Sequence, residues 1–171
     1  VGALVWWYHR ALLEGSVAER GEVHRIYEYL VAGIALVAAA TGVGTILVAL
    51  VESVTPGVDI GMATMNTLLA ALTLLLVGVP VWWWHWRGVR AAVAAGPADE
   101  VAALPRRVYL VLLFGVAGVA AVIALLVAGY TFFRDLVDAQ LGAATLRSMR
   151  YALGVLVASA AISAYHGAVF Q

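Results

Sequence analysis

The chain has 171 residues, of which 64% are hydrophobic and 12% are charged, and its mean hydropathy is +0.98. Ten arginines balance ten acidic residues, and the chain contains neither lysine nor cysteine. Soluble domains are about half apolar and about a quarter charged, so this composition excludes a soluble enzyme, a nucleic-acid-binding protein and a disordered chain. The lack of thiols excludes disulfides, iron–sulfur clusters and cysteine nucleophiles. The sequence therefore predicts an all-α, polytopic transmembrane helical bundle.

The first apolar segment, residues 1–8, is too short to cross a bilayer and ends at His9 and Arg10. Eight helical residues rise about 12 Å, whereas the hydrocarbon core of a membrane is about 30 Å thick. The segment also lacks the basic start and the small-residue cleavage site of a signal peptide. We expect residues 1–13 to be the end of a helix that begins before Val1, which predicts an intact mass above 18.0 kDa.

Four longer apolar runs follow, and each reaches the roughly 20 residues that a spanning helix needs. None of them alternates with the period of two that the strands of a transmembrane barrel show. Pro105 stands at the predicted start of a helix, where its missing amide hydrogen is not needed. The predicted spans, in chain order, are Tyr29–Val51, Met62–Trp86, Val108–Phe133 and Tyr151–Phe170.

The placement of the arginines predicts how the bundle is oriented. Because successive spans alternate in direction, one side collects seven arginines and the other side collects Arg134, Arg147 and Arg150. All six tryptophans and all four histidines fall near the arginine-rich side. Cytoplasmic loops carry the excess of basic residues in membrane proteins. We therefore expect a multi-pass protein of the cell membrane whose histidine- and tryptophan-rich helix ends face the cytoplasm.

An internal repeat of about 80 residues is visible in the sequence. The helix opening His24-Arg25-Ile26-Tyr27 matches Arg106-Arg107-Val108-Tyr109 at an offset of 82 positions, and the helix end at His85 matches that at His166 at an offset of 81. A recurring unit of this size predicts a direct repeat of a two-helix hairpin. The first hairpin covers residues 23–90 and the second covers residues 104–171, within a single transmembrane domain.

These helix openings, with the Trp-His and Tyr-His helix ends, resemble an uncharacterised family of bacterial multi-spanning membrane proteins that is classed as a domain of unknown function. The resemblance covers most of the chain. This sequence departs from the pattern at His24, which replaces the first arginine of one opening, and at Gly167, where a larger residue is expected. The resemblance implies a helical membrane fold and brings no activity with it.

The histidines are the candidates for chemistry, because neutral imidazole is a good ligand of haem iron and of metals. His85 and His166 end parallel helices, and His9 is a third member of the same repeat position. If helix packing brings them together, they predict a site for haem b and a redox or pigment-binding membrane anchor. The alternative is structural, because a histidine at a helix end interacts favourably with the helix dipole and suits the interface.

The favoured function is non-catalytic: an integral membrane subunit or scaffold that packs against partner membrane proteins or against a second copy. We predict no catalytic and no metal-binding residues. A small channel or transporter is a third alternative, but no charged residue stands at mid-membrane, where proton relays and ion-coupled transporters place them. The predicted interaction surface consists of Trp82, Trp83, Trp84, Trp86 and Arg87.

Overall fold

The computed structural model describes residues 4–5, 7–8, 21–55, 62–95 and 101–169. These residues form no strand, which confirms the predicted all-α class. Four helices are long and apolar enough to cross a membrane, and this suggests a membrane protein. In chain order they are α1 (Glu22–Val54), α2 (Met62–Ala94), α3 (Leu104–Val137) and α4 (Ala143–Val169).

At most of their ends the helices extend beyond the apolar runs that predict them. For example, α1 begins seven residues before Tyr29 and α2 continues eight residues after Trp86. The added turns carry charged residues, which keep helical backbone geometry while their side chains reach water or headgroups. α2 also continues without a break through Pro80. Of residues 1–13, only Leu4, Val5, Trp7 and Tyr8 are described; they are helical, and the rest of that predicted segment lies outside the described residues.

α1 is the central element, because it packs against each of the other three helices. Its approach to α2 is close enough that a Cβ atom added at Gly78 would lie 2.9 Å from the backbone nitrogen of Ala39. Its crossing with α4 is similarly close, since a Cβ atom at Gly154 would lie 3.0 Å from the carbonyl oxygen of Gly44. Small residues at such crossings let helix backbones approach each other, as in other transmembrane bundles.

Contacts between the helix ends give the bundle an aromatic end and an opposite end. At the aromatic end, α1 and α3 begin and α2 and α4 finish, with Trp86 and Tyr109 stacked together. At the opposite end, Arg147 of α4 donates to the carbonyl oxygen of Thr55, just after α1. The buried hydrophobic residues are mostly alanine, whereas leucine, valine and phenylalanine are mostly exposed. This is the reverse of a soluble bundle and is expected where the surroundings are lipid.

The connection between α3 and α4 is a tight turn that satisfies the last carbonyls of α3. The amide of Gln140 donates to the carbonyl of Asp135 over 2.8 Å, and the amide of Ala139 donates to that of Leu136 over 3.2 Å. This pair of bonds defines a Schellman motif, which normally places glycine at the left-handed position. Here Ala139 occupies that position with a φ of 54°.

Candidate functional site

The most deeply buried large side chains lie together at the aromatic end. Trp86 of α2 is 1% exposed and His166 of α4 is 0% exposed, and both contact Tyr109 of α3. Tyr29 of α1 completes the cluster, with its ring 5.4 Å from that of Tyr109. All four helices therefore meet in one aromatic layer, which we call the His166 cluster: Tyr29, Trp82, Trp86, Tyr109, Tyr165 and His166.

The hydrogen bonds of His166 define the tautomer of its imidazole. Nδ1 lies 3.0 Å from the carbonyl oxygen of Ile162, and a carbonyl only accepts, so Nδ1 carries the proton. Nε2 is then an acceptor, and it receives the hydroxyl of Tyr109 over 3.3 Å. Because both ring nitrogens are engaged, His166 presents a neutral, internally paired imidazole. A haem iron or a metal ion would have to displace Tyr109 to reach Nε2.

Trp86 joins α2 to the second hairpin. Its indole Nε1 donates to the hydroxyl of Tyr165 over 3.1 Å. Its ring lies 5.6 Å from Tyr109 at an interplanar angle of 29°, and 5.0 Å from His166. Aromatic pairs at such distances contribute about 0.5–1.5 kcal/mol beyond the area that they bury. These contacts therefore hold α2 against α3 and α4 and so stabilise the packing of the two hairpins.

His85 lies at the same end of the bundle but in other surroundings. Its Nδ1 is 2.8 Å from the carbonyl oxygen of Val81, and its ring packs edge-on against Tyr27 of α1 at 5.8 Å. His166 instead contacts Trp82 and Trp86. The structure thus gives the two histidines different neighbours.

The third candidate, His9, lies outside the described residues. Within the described ranges, no group of three histidine, aspartate or glutamate residues is arranged to hold a metal ion.

One tyrosine–histidine arrangement occurs in both hairpins. Tyr27 contacts His85 at 5.8 Å and Tyr109 contacts His166 at 6.1 Å, and these pairs are related by the sequence offsets of 82 and 81 positions. Each histidine also bonds through Nδ1 to the carbonyl four residues earlier. The two tyrosines differ in burial, since Tyr27 is 49% exposed whereas Tyr109 is buried.

The predicted interaction surface is divided between the inside and the outside of the bundle. Trp82 and Trp86 point inward, because the ring of Trp86 is enclosed by α3 and α4 and that of Trp82 packs on Tyr165. Trp83 and Trp84 are 45% and 48% exposed. The Arg87 guanidinium lies 5.8 Å from the centre of the Trp84 ring, within the range of a cation–π contact. Only Trp83, Trp84 and Arg87 therefore face outward.

The opposite end carries a polar cluster built around Asp135. One carboxylate oxygen accepts the hydroxyl of Thr145 over 2.7 Å, and the other accepts Nε and Nη2 of Arg134. The amide of Gly142 donates to the Thr145 hydroxyl over 3.3 Å. These bonds connect the end of α3 to the start of α4. The buried carboxylate is paired, as a buried charge requires.

Two arginines of α4 hold the end of α1. Arg147 donates through Nη2 to the carbonyl oxygen of Thr55 over 2.9 Å. Arg150 forms an ion pair with Glu52, with Nε 2.9 Å from Oε1, and its guanidinium lies 4.4 Å from the centre of the Tyr151 ring. The arginines at this end therefore have partners within the chain.

The residues that sequence reasoning missed are the tyrosines of the His166 cluster. The sequence analysis places Tyr109 in a helix opening, Tyr29 at the start of a predicted span and Tyr165 in a Tyr-His helix end, and it assigns none of them to a site. The predicted repeat contains a usable signal, because it pairs a tyrosine at the start of each predicted hairpin with a histidine at its end. Which of these rings turn inward depends on the rotation of each helix about its axis, and the sequence pattern does not predict that rotation.

The long apolar helices, the aromatic cluster at one end, the paired polar groups at the opposite end and the close helix crossings are compatible with a membrane protein. The chain belongs to the family described as Domain of unknown function (DUF5671), whose model matches residues 25–161. The match begins in the first turn of α1 and ends within α4, so it includes parts of all four helices. No curated protein and no solved structure matches the chain.

Proposed function

We propose that this protein is a non-catalytic integral membrane scaffold that packs, through an exposed tryptophan surface, against a partner membrane protein or a second copy. The proposal rests on a contrast at the aromatic end between side chains that the helices enclose and side chains that project outward. Within the His166 cluster, Trp86 and His166 are hydrogen-bonded to tyrosines of the chain, whereas Trp83, Trp84 and Arg87 project outward beside it. Tryptophan and arginine are enriched among the residues that dominate binding energy at protein interfaces.

The mass of the detergent-solubilised particle tests this proposal. We expect wild-type protein to form a particle heavier than one chain, measured by light scattering with the detergent contribution subtracted. A variant with Trp83→Leu and Trp84→Leu is expected to lose that heavier species. Phe133→Leu is the matched control, because it shortens an exposed aromatic side chain at the opposite end. Single-chain wild-type particles, or equal losses in both variants, would contradict the proposed surface.

We also propose that the aromatic end faces the cytoplasm. Among the described residues, the arginines at the opposite end are held by Asp135, Thr55 and Glu52. More arginines lie at the aromatic end, and the excess of basic residues is typical of the cytoplasmic side. The described members of that set are Arg25, Arg87, Arg90, Arg106 and Arg107.

The absence of cysteine makes this orientation directly measurable. Ala95→Cys and Gln140→Cys each place one thiol at an exposed position, at the aromatic end and the opposite end respectively. A membrane-impermeant maleimide should label Gln140→Cys in intact cells and should label Ala95→Cys only after lysis. The reverse pattern would overturn the orientation.

A haem-bearing anchor is the main competing function. The imidazole of His166 accepts a hydrogen bond from Tyr109, so its Nε2 atom is engaged in this structure. We expect purified protein to show no Soret band, either oxidised or after reduction with dithionite. A Soret band that disappears in His85→Ala or His166→Ala would replace the scaffold with an electron-transfer anchor, and ion flux into liposomes would instead support a channel or transporter.

A further inference from the structure

The end of α2 places two tryptophan rings against the second hairpin. Between ring centres, Trp86 lies 5.6 Å from Tyr109 and 5.0 Å from His166. The ring of Trp82 lies 6.3 Å from that of His166. Trp82 and Trp86 stand four residues apart, so both rings are on one side of α2. The tyrosine–histidine pair of the second hairpin is thus covered by two side chains with i, i+4 spacing from the end of a neighbouring helix.

The corresponding pair of the first hairpin, Tyr27 and His85, lacks that cover within the described part of the chain. Tyr27 is half exposed, and of the described rings only that of Tyr27 contacts His85. Nδ1 of His85 carries a proton, because it lies 2.8 Å from the carbonyl oxygen of Val81, which only accepts. Nε2 is therefore an acceptor, and no described residue donates to it. The pair offers an exposed aromatic ring and one hydrogen-bond acceptor to a further side chain.

The end of α4 in a second copy of the chain does not carry the matching side chains. At the offset of 81 positions, Trp82 and Trp86 correspond to Ser163 and Gly167. Neither of these residues has a ring or a cationic group. The end of α4 therefore cannot cover a tyrosine–histidine pair in the way that the end of α2 covers the second hairpin.

The N-terminal segment has suitable side chains at the matching positions. Trp6 stands three residues before His9, and Arg10 stands one residue after it. The two covering tryptophans of α2 have the same positions relative to His85. A guanidinium stacks on aromatic rings and carries several N–H donors. Arg10 therefore suits both the ring of Tyr27 and the acceptor at Nε2 of His85.

The exposure of the described residues among positions 4–8 indicates which side of the N-terminal segment can pack. These residues are helical, and each of them is more than half exposed. Leu4 and Tyr8 stand two residues before and after Trp6, so at 3.6 residues per turn they lie on the opposite side of the helix. Arg10, four residues after Trp6, shares the side of Trp6. That side is therefore the one left to contact the bundle.

We infer that the N-terminal segment packs on the first hairpin through Trp6 and Arg10. The guanidinium of Arg10 lies over the ring of Tyr27 and donates to Nε2 of His85, and Trp6 packs against the same imidazole one turn before Arg10. Each hairpin then receives its cover from the helix end that precedes it in the chain. These contacts lie within one chain, so the inference does not depend on the partner of the proposed tryptophan surface.

Two adjacent tryptophans provide the first test, by thermal unfolding of the full-length protein in detergent. Trp6→Leu removes a ring that contacts His85 in the inferred packing. We expect it to lower the melting temperature by about 1–6 °C, the effect of one aromatic pair in a chain of this size. Trp7→Leu is the matched control, because Trp7 is 64% exposed and lies on another side of the helix. Its melting temperature should remain that of the wild type.

A double-mutant cycle tests the contact between Arg10 and Tyr27. Arg10→Gln should lower the melting temperature by about 1–4 °C, the effect of one cation–π contact. Tyr27→Leu should lower it by at least as much, because it also removes the contact with His85. The double variant should fall no further than Tyr27→Leu alone, because either substitution removes the same contact.

Two controls accompany the cycle. Arg90 is an exposed arginine of α2 at the same end of the bundle, so the effects of Arg90→Gln and Tyr27→Leu should add. The coupling of Arg10→Gln with Tyr27→Leu should also persist when the protein is diluted, because a contact within one chain does not depend on concentration. Far-ultraviolet circular dichroism checks that every variant is helical.

Three results would overturn the inference. The first is an equal effect of Trp6→Leu and Trp7→Leu. The second is full additivity of Arg10→Gln and Tyr27→Leu. The third is a coupling that disappears on dilution, which would assign Arg10 to a contact with a second copy. A single-chain particle in light scattering would instead contradict the proposed tryptophan surface and would leave this coupling in place.

Discussion

Replacing Tyr109 by phenylalanine removes a single hydroxyl from the centre of the His166 cluster and leaves the ring in place. That hydroxyl donates to Nε2 of His166 over 3.3 Å. His166 is fully buried, so water does not reach Nε2 when the donor is lost. The ring stacking of Tyr109 with Trp86 does not require the hydroxyl and should persist in the variant.

The expected loss follows from the burial of His166 and the length of the bond. A buried acceptor without its donor costs about 1–3 kcal/mol. Hydrogen bonds between transmembrane helices contribute about 0.6 kcal/mol on average and about 1.7 kcal/mol at most. A bond of 3.3 Å is longer than the ordinary range, which favours the lower half of these values. We expect Tyr109→Phe to lower the free energy of unfolding by about 1–1.5 kcal/mol, and the melting temperature by about 2–6 °C.

Thermal unfolding in detergent, followed by far-ultraviolet circular dichroism, measures this loss. Tyr27→Phe is the matched control, because Tyr27 stands in the equivalent position of the first hairpin but is half exposed. Its melting temperature should remain that of the wild type. Equal losses in the two variants, or an unchanged Tyr109→Phe, would refute the view that the hydrogen bond closes this end of the bundle.

Three further predictions concern stability, measured by the same thermal unfolding. Gly78→Ala should destabilise the protein, because the added Cβ atom would lie 2.9 Å from a backbone nitrogen of α1. Gly118→Ala is the control: its Cβ atom would meet no atom within 4 Å, so the substitution should be neutral or stabilising by up to about 1 kcal/mol. Ala139→Gly should stabilise by about 1 kcal/mol, because Ala139 has a φ of 54° at the left-handed position of a Schellman motif. Glu52→Gln should cost less than about 1 kcal/mol, because its ion pair with Arg150 is partly solvated.

For each of these three predictions, one experimental result would contradict it. A Gly78→Ala variant as stable as Gly118→Ala would mean that α1 and α2 separate at no cost. A destabilised Ala139→Gly variant would show that flexibility of the unfolded chain outweighs the relief of the left-handed strain. A large loss in Glu52→Gln would show that this ion pair is more strongly desolvated than its exposure indicates.

Hydropathy predicted the four helices because each contains an apolar run long enough to cross a bilayer. It places both ends of α1 and α3, the end of α2 and the start of α4 several residues too far inside, since a charged turn such as that of Arg87 and Arg90 is helical without being apolar. The depth of His85 and His166 near one end of the bundle also followed from the sequence, because alternating spans fix which helix ends share a side.

The rotation of each helix about its own axis could not be predicted from the sequence. The segment from Trp82 to Trp86 is aromatic at every position, so it has no periodic contrast that marks one side as buried. Packing against the other helices determines which side of this segment is buried. Trp86 is 1% exposed, whereas Trp84, only two residues away, is 48% exposed.

The stacking of Trp86 on Tyr109 also has an optical consequence. At 5.6 Å between ring centres, light absorbed by the tyrosine passes efficiently to the indole, and the enclosed indole emits at shorter wavelength than a hydrated one. Trp83 and Trp84 project outward, where brominated lipids placed in the surrounding bilayer would quench them selectively. In a variant in which Trp6 and Trp7 are replaced by phenylalanine, the emission that survives such quenching would come from the enclosed indoles. The protein thus has an intrinsic fluorophore that reports whether the two hairpins are joined.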